Sequence, residues 1–165
     1  MLFAICLVFS PIWPLGENPL PGDPIVIVNK QTNELAFIVD EEVVHIYSVA
    51  TGKTENLTPE GTFTVTVKAE NPFYRKKNIE GGSPDNPLGT RWIGFDAEGT
   101  DGRIYGLHGT NAPNSIGQYL SNGCIRLSNT MIEQLYEKTP LGTKVHILSS
   151  PLPFEQIAKE IGAIS

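Results

Sequence analysis

Short runs in which apolar and polar residues alternate recur along most of the chain, a pattern typical of β-strands with one buried face. The clearest run is 61–68 (GTFTVTVK), which places Thr on one face and Phe or Val on the other. Runs Ile25–Asn29 and Glu34–Val39 flank a polar turn at 30–33, so they predict a hairpin. Further strands are predicted at 43–49, Arg91–Phe95, 104–108 and Lys144–Leu148.

Two segments have helical rather than strand-like spacing. Asn129–Lys138 follows Ser128, a residue suited to cap a helix, and Pro140 ends it. The segment 154–161 places its apolar residues on one face. Because the strands follow one another without alternating helices, we predict a mainly β fold with minor α content. The expected architecture is an antiparallel β-sandwich or barrel with one or two short helices.

The first 24 residues differ in character from the rest. Segment 1–15 carries no charged side chain, is shorter than the ~20 residues of a membrane-spanning helix, and is interrupted by Pro11 and Pro14. Its length suits a secretory signal, although no Lys or Arg precedes it and no clear A-x-A site follows. We expect export from the cytoplasm; the alternatives are an apolar segment packed on the domain and a weak membrane anchor. The predicted organisation is an apolar segment and Pro-rich linker (1–24), one folded domain (25–148) and a C-terminal helical extension (149–165).

Composition narrows the class of protein. With 40% apolar and 18% charged residues, the chain can bury a core and is not disordered. The net charge is −6 and no basic cluster exceeds Arg75-Lys76-Lys77, which argues against a nucleic-acid partner. Of two cysteines, Cys6 lies in the apolar segment, which leaves Cys124 as a lone thiol in the folded domain. Such a thiol is either a reactive group or an ordinary core residue.

The longest stretch without regular pattern runs from 70 to 88. It is rich in Gly, Pro and Asn and carries two aromatic residues. A loop of this length in a compact domain is usually functional or disordered, so we weigh a substrate-binding lid against a surface excursion.

The residues with most chemical potential lie in segment 105–127. A predicted strand ends at His108, and Cys124 follows sixteen residues later. A thiol is a weak nucleophile at its ordinary pKa of about 8.5 and becomes stronger beside an imidazole. Gly123 allows a tight turn, and the amides of Gly123 and Cys124 are suited to bind a developing oxyanion. Arg126 points the same way as Cys124 in an extended chain, where it can hold a carboxylate.

Each of these residues also has an ordinary structural interpretation. A Cys between Gly and Ile is, taken alone, more often a core residue than a catalyst. A single His at a strand end more often makes a structural hydrogen bond, and Arg126 can satisfy loop carbonyls. Their combination in one short segment favours catalysis. His45 and His146, which lie within predicted strands, are expected to be structural.

The motif His108-Gly109-Thr110, followed by residues 121–127 (SNGCIRL), resembles the signature of the YkuD-type (ErfK/YbiS/YcfS/YnhG-like) L,D-transpeptidases. That signature is a His, a spacer of about this length, then Ser/Thr-x-Gly-Cys and commonly a hydrophobic residue with Arg. Three other stretches resemble the same family: 50–53 (ATGK), 58–63 (TPEGTF) and 86–89 (NPLG), the last shortly before Trp92. The resemblance extends over roughly residues 25–148.

The resemblance implies that Cys124 is the nucleophile and His108 the general base. In relatives a serine or a backbone carbonyl orients the histidine, and here only the Gly109 carbonyl is at hand. Many members carry a second histidine where this chain has Asn122, which leaves His108 as the sole proton carrier. Ser121, Asn122, Tyr105 and Arg126 are expected to bind substrate, and Gly109 and Gly123 to orient the base or the oxyanion.

The implied activity is a peptidoglycan L,D-transpeptidase that releases D-Ala and forms 3→3 cross-links through a cysteine thioester. Its partners would be peptidoglycan stem peptides, with weak membrane association through the N-terminal segment, and we expect a monomer. No metal or organic cofactor is implied, since one His and one Cys cannot form a closed metal site.

Alternatives remain at this point. With water as acceptor, the enzyme would be an L,D-carboxypeptidase. A sortase-like enzyme also uses His, Cys and Arg, but its Arg follows several residues after the Cys, whereas Arg126 is two residues past Cys124. A non-enzymatic alternative is an idle wall-binding or structural domain that kept the fold.

Overall fold

A computed structural model describes residues 20–165 of the chain. The predicted apolar segment 1–15 and Cys6 therefore lie outside the described residues. Within that described part, no helix combines the length and apolar character needed to cross a bilayer.

Residues 20–165 contain ten strands, two α-helices and three short 3-10 helices, the last at Arg75–Lys77, Ala97–Gly99 and Pro113–Ser115. The strands are β1 (Ile25–Asn29), β2 (Glu34–Val39), β3 (Glu42–Ser48), β4 (Thr51–Gly52), β5 (Gly61–Glu70), β6 (Arg91–Phe95), β7 (Tyr105–His108), β8 (Tyr119–Ser121), β9 (Ile125–Arg126) and β10 (Lys144–Leu148). The α-helices are α1 (Asn129–Lys138) and α2 (Phe154–Glu160).

Eight of the strands form one sheet in the order β3-β2-β1-β10-β5-β6-β7-β9, and β4 and β8 form a separate pair. Five neighbouring pairs in the large sheet are antiparallel. Two pairs, β1·β10 and β7·β9, are parallel. The mainly antiparallel β fold expected from the sequence is thus confirmed, as one mixed sheet.

Two apolar clusters hold the sheet in place. The larger lies on one face and draws on strands from both ends of the sheet, from Val26 and Phe37 to Leu107 and Ile125, together with α1. Contributions from strands this far apart in the sheet mean that the sheet curls around this cluster. The smaller cluster lies on the opposite face of β1 and β2, where α2 packs with Ile157. Strand β1 is therefore buried on both faces, which explains its unbroken apolar sequence.

The predicted elements match the observed ones closely. The hairpin β1–β2 forms with Asn29 opposite Glu34, and Ser128 caps α1 by accepting a hydrogen bond from the Met131 amide at 3.3 Å. The predicted strands 43–49, 61–68 and 104–108 differ from β3, β5 and β7 by one or two residues at an end, and the predicted helix 154–161 differs from α2 by one. Strands β4, β8 and β9 were not predicted, because two or three residues are too few to show a period.

Candidate active site

Neighbouring parallel strands bring His108 and Cys124 to the same face of the sheet. In the register of β7 and β9, Leu107 lies opposite Ile125 and His108 opposite Arg126. Side chains alternate between faces along a strand, so Leu107 and Ile125 enter the core while His108, Cys124 and Arg126 share the other face. The imidazole and thiol positions are diagonal neighbours, about 8 Å apart at the backbone, a span that two inclined side chains can bridge.

A tight turn holds the backbone just before Cys124. Gly123 has φ +130°, in the region that favours glycine, and a Cβ there would lie 2.5 Å from the Leu57 carbonyl oxygen. The Ser121 hydroxyl accepts the Gly123 amide at 3.1 Å. The Thr58 hydroxyl donates to the Gly123 carbonyl at 3.1 Å and accepts the Gly52 amide at 2.9 Å. The backbone that precedes Cys124 is thus fixed at both the amide and the carbonyl of Gly123.

His108 is buried and has a defined ring orientation. Its Nδ1 lies 2.6 Å from the Gly109 carbonyl oxygen. A carbonyl only accepts, so Nδ1 carries the hydrogen and Nε2 keeps its lone pair. Burial lowers the pKa of His108 from 6.5 to about 4, and the charge of Arg126 adds to this shift. Hydrogen bonding to the backbone of Gly109 and of Leu88 opposes the shift. The imidazole is therefore neutral at pH 7 and able to accept a proton.

An indole forms one wall of the site. Trp92 lies opposite His108 in the pairing of β6 and β7, and the two rings stack with centroids 5.7 Å apart and planes 16° apart. The indole NH donates to the Gly102 carbonyl at 2.9 Å. A Cβ on Gly106 would come within 2.7 Å of the indole, so the ring lies directly over this glycine. Gly106 is thus needed to make room for the indole beside the thiol.

The thiol of Cys124 is partly exposed and protonated at rest. Its Sγ lies 3.3 Å from the Ile104 carbonyl oxygen, a contact in which the S–H donates. Burial raises the pKa of Cys124, while the backbone of Gly106 and the charges of Lys76 and Arg126 lower it. Because the pKa of the imidazole is lowered and that of the thiol is raised, the resting pair is neutral. The thiol would therefore have to lose its proton before the sulfur could act as a nucleophile.

The segment between β5 and β6 borders the site. Asn86 is buried and its amide donates to the carbonyls of Pro72 and Glu80 at 2.8 and 3.1 Å, which gives the segment its own internal frame. From this segment Lys76 acts on the thiol and Leu88 on the imidazole, through the pKa effects given above. The stretch 70–88 thus lies beside the reactive groups; whether it closes over a substrate stays a prediction.

The remaining candidate residues lie in different settings. Arg126 is half-buried on the site face, and Asn122 is exposed at the turn before Cys124. Ser121 is buried and its hydroxyl oxygen accepts a hydrogen bond from the Gly123 amide, so that amide is occupied in this state. Tyr105 lies on the core face, packed against the larger apolar cluster. Of the predicted substrate-binding set, Arg126 lies on the face of the thiol. The Tyr105 ring comes within 3.3 Å of a Cβ built on Gly123, from the core side.

Two further histidines lie away from this face. His146 Nδ1 contacts the Thr62 hydroxyl at 2.7 Å, on β10 and β5. His45 stacks on Tyr47 with centroids 5.6 Å apart, on β3. Across residues 20–165, no three His, Cys, Asp or Glu side chains gather as a metal site would require.

Two residues of the site were missed from sequence alone. Trp92 and Thr58 stand in stretches that resemble the family, but neither was given a role. The position of Trp92 was detectable in principle, because Trp92 and Gly94 have the spacing of one strand face, as do Gly106 and His108. The role of Thr58 depends on a contact with Gly123, 65 residues away, which no local pattern reveals.

Comparison with known proteins gives consistent matches over the domain. The family model described as the YkuD L,D-transpeptidase catalytic domain matches residues 23–147. YqjB of Bacillus subtilis (strain 168), whose name assigns it provisionally to the L,D-transpeptidases, is 66% identical over 99% of this chain and 95% of its own length. YkuD of Bacillus licheniformis is 36% identical over 84% of this chain and 73% of its own. ErfK/SrfK of Escherichia coli (strain K12) is 33% identical over 78% of this chain and 45% of its own.

Solved structures share the fold at lower identity. The L,D-transpeptidase from Mycobacterium smegmatis is 21% identical, with a TM-score of 0.61 over 77% of this chain and 59% of that one. The catalytic domain of the Enterococcus faecium L,D-transpeptidase is 23% identical, with a TM-score of 0.60 over 77% of this chain and 98% of that domain. These solved structures show a shared fold. The family model and the more similar relatives match the amino-acid sequence of the domain as well. The chain therefore belongs to the family of YkuD-type L,D-transpeptidase catalytic domains.

Proposed function

We propose that this protein is a peptidoglycan L,D-transpeptidase that works through a thioester on Cys124 and forms 3→3 cross-links outside the cytoplasmic membrane. The observation that carries the proposal is the state of His108. Its Nδ1 hydrogen is held by the Gly109 carbonyl at 2.6 Å, its pKa is lowered to about 4, and it shares a strand face with the only described thiol. A neutral imidazole beside a neutral thiol is the arrangement that general-base activation requires.

In the first half-reaction, Cys124 Sγ attacks the carbonyl carbon between the third residue of a tetrapeptide stem and its terminal D-Ala. His108 Nε2 accepts the thiol proton as the carbon–sulfur bond forms. We assign the developing oxyanion to the backbone amide of Cys124, because the Gly123 amide already donates to Ser121. His108 then donates the proton to the departing nitrogen, the carbon–nitrogen bond breaks, and D-Ala leaves with a thioester behind it.

In the second half-reaction, the side-chain amine of a diamino acid in another stem attacks the thioester carbonyl. His108 takes a proton from this amine and returns it to the sulfur as the carbon–sulfur bond breaks. The products are an amide cross-link and the free thiol, so no oxidant, reductant or cofactor is consumed. Arg126, half-buried on the same face, is suited to bind a substrate carboxylate.

Competition from water decides between transpeptidation and carboxypeptidation. A thioester must survive until an amine arrives, so the site must limit water entry. The buried Trp92 indole and the segment carrying Leu88 flank the reacting groups and support this role. If water acted instead of the amine, the same thioester would yield a tripeptide stem.

The test is to incubate the full-length protein with stem tetrapeptide and to follow D-Ala, tripeptide and cross-linked dimer by mass spectrometry. Cys124→Ala and His108→Ala should abolish D-Ala release. His146→Ala is the matched control, because it removes an imidazole that contacts Thr62 away from the site, and it should retain activity.

A second measurement separates the alternatives. A carbapenem should add covalently to Cys124 in the wild type and leave Cys124→Ala unmodified. A folded protein with an unmodified thiol and no D-Ala release would favour an idle wall-binding domain. Cleavage of a sorting-signal peptide in preference to the stem would favour a sortase-like enzyme, and tripeptide without dimer would indicate a carboxypeptidase.

A further inference from the structure

A concave surface lies apart from Cys124 and His108. It is a groove of about 510 Å³ beside the β4·β8 pair. Its lining includes Lys30, Gln31, Lys53, Glu55, Tyr119 and Ser149. Neither Cys124, His108, Trp92 nor Arg126 lines this groove, although Gly52, which donates to the Thr58 hydroxyl, does. Its position and composition therefore call for an explanation of their own.

The charges in the groove are balanced. Lys30 is buried, and its ammonium group donates to the carbonyls of Glu55 at 2.8 Å and Thr58 at 3.1 Å and contacts the Glu60 carboxylate at 3.0 Å. An ammonium has three hydrogens, so Lys30 has none left for a ligand. The exposed Lys53 and Glu55 side chains carry opposite charges. The groove is thus suited to a neutral ligand rather than to a phosphate polymer.

The free groups in the groove are an aromatic ring and uncharged polar side chains. Tyr119 is 50% exposed, while its hydroxyl is held by the carbonyls of Lys30 and Gln31 at 3.0 and 3.1 Å. The hydroxyl end of the ring is thus fixed, while the apolar part of the ring is accessible to a ligand. Gln31 and Ser149 are exposed, and across the described residues their side chains have no hydrogen-bond partner. A fixed ring beside free amide and hydroxyl groups matches a sugar, which has an apolar C–H face and a polar rim.

The groove is connected to the nucleophile by the chain itself. Tyr119 begins β8, and the same segment continues through Ser121, whose carbonyl accepts the Lys53 amide at 2.9 Å, to Cys124. Cys124 is the fifth residue after Tyr119, so their Cα atoms are at most roughly 18 Å apart. Three extended residues of a stem peptide span roughly 10 Å, to which side chains and the sugar add several ångströms. The two lengths are of the same order, so a stem attached to a sugar in the groove can extend toward the thiol.

We propose that this groove binds an N-acetylated amino sugar of the peptidoglycan glycan strand, the sugar whose own stem peptide enters the active site. The inference rests on the proposed function, because it takes the stem as the acyl donor. The acetamido group would pair with the Gln31 amide and the sugar ring would lie on Tyr119. Such a subsite would select stems attached to glycan over free peptides without a separate wall-binding domain.

The test measures sugar binding apart from turnover. Full-length Cys124→Ala is titrated with a peptide-free GlcNAc–MurNAc tetrasaccharide and followed by NMR and calorimetry. Gln31→Ala in this background should raise Kd at least threefold, and Tyr119→Ala at least tenfold. Gln134→Ala is the matched control, since Gln134 is exposed on α1 outside the groove, and Kd should not change. Gln31→Ala removes an exposed side chain without hydrogen bonds, so its fold should persist even if Tyr119→Ala loosens the turn.

A kinetic ratio then links the groove to the reaction. With the catalytic cysteine restored, kcat/KM is measured for a disaccharide-linked tetrapeptide and for the free tetrapeptide, and their ratio should fall at least threefold in Gln31→Ala. Absence of tetrasaccharide binding, a Kd insensitive to both groove variants, or tighter binding of poly(glycerol phosphate) would overturn the groove assignment while turnover of free tetrapeptide sustains the proposed function. Tetrasaccharide binding without turnover of either peptide would instead reject the proposed function.

Discussion

The two faces of the sheet at β6, β7 and β9 differ sharply although the same strands build both. One face presents Ile93, Leu107 and Ile125, all fully buried in the larger apolar cluster. The other presents Gly106, His108 and Cys124. Successive residues thus lie alternately in the core and on the face of the candidate site. Residues that are neighbours in sequence therefore differ in what they contribute, one to stability and the next to the candidate site. Single substitutions should separate these two contributions.

The largest contrast is expected between Cys124 and the next residue. Cys124→Ala should lower D-Ala release by on the order of 10³-fold or more, because the nucleophile is lost, with little change in stability. Ile125→Ala should destabilise the fold by about 2–5 kcal/mol, because it leaves a cavity in a fully packed core. Mass-based kinetics and urea unfolding measure the two quantities. Similar stability losses for both variants would contradict the division between faces.

The next effect concerns acid. The pKa of His108 is about 4 in the folded state and near 6.5 when unfolded, so the unfolded chain binds a proton first as pH falls. The stability that comes from the neutral imidazole is full above pH 6.5 and is lost as pH falls toward 4. The loss should reach roughly 3 kcal/mol at most, and His108→Gln should remove this part of the pH dependence.

His146→Gln is the control for that measurement. Burial lowers the pKa of His146 too, but the residue is only half-buried and lies on β10. Urea unfolding of the three proteins between pH 4 and 7 provides the data. If the free energy of unfolding depends on pH in the same way in His108→Gln and in the wild type, the imidazole of His108 is not held neutral.

A smaller effect is expected from a single methyl group on the reactive face. Gly106→Ala places a Cβ 2.7 Å from the Trp92 indole and 2.9 Å from the Ile93 carbonyl oxygen, so the ring must shift away from its place beside His108. We expect a loss of about 1–3 kcal/mol in stability and a lower kcat. Near-UV circular dichroism and D-Ala release check both. Unchanged spectra and rates would show that the indole has no positioning role.

The smallest effect tests the support behind the nucleophile. Thr58→Val keeps the shape but removes the hydroxyl that donates to Gly123 and accepts from Gly52. The cost should be about 1–3 kcal/mol, since two buried backbone groups lose their partner, and Thr58→Ser should restore most of it. Thr66→Val, at an exposed hydroxyl bonded to Asp101, is the matched control and should change stability by less than about 1 kcal/mol. Equal losses in both valine variants would argue against a special role for Thr58.

Sequence patterns predicted the long elements well and the short ones not at all. Runs such as 61–68 repeat their period several times, so their faces could be assigned. Strands β4 and β9 have two residues each and exist only because neighbours pair with them. The β1·β10 pairing joins residues about 120 positions apart, and no local pattern reports such a contact.

The candidate site was predictable where its residues are close in sequence. His108, Gly109 and Cys124 came from one segment and one motif, and the Gly109 carbonyl was the only orienting group that the sequence offered. The direction in which Ser121 points could not be derived, because it depends on the turn at Gly123. Tyr105 lies three residues before His108 in one strand, so alternation alone places the two on opposite faces. Trp92 enters the site from a strand that precedes the motif, through pairing of β6 with β7.

The central position of β10 has a consequence for synthesis. This strand lies between β1 and β5, although it is the last strand of the chain. A growing chain that has not yet reached β10 therefore lacks the strand that joins β3-β2-β1 to β5-β6-β7-β9, and the inner edges of β1 and β5 have no partner in it. Strand β10 joins the two sets of strands. A chain released before residue 144 would therefore leave the edges of β1 and β5 open to pairing with other chains.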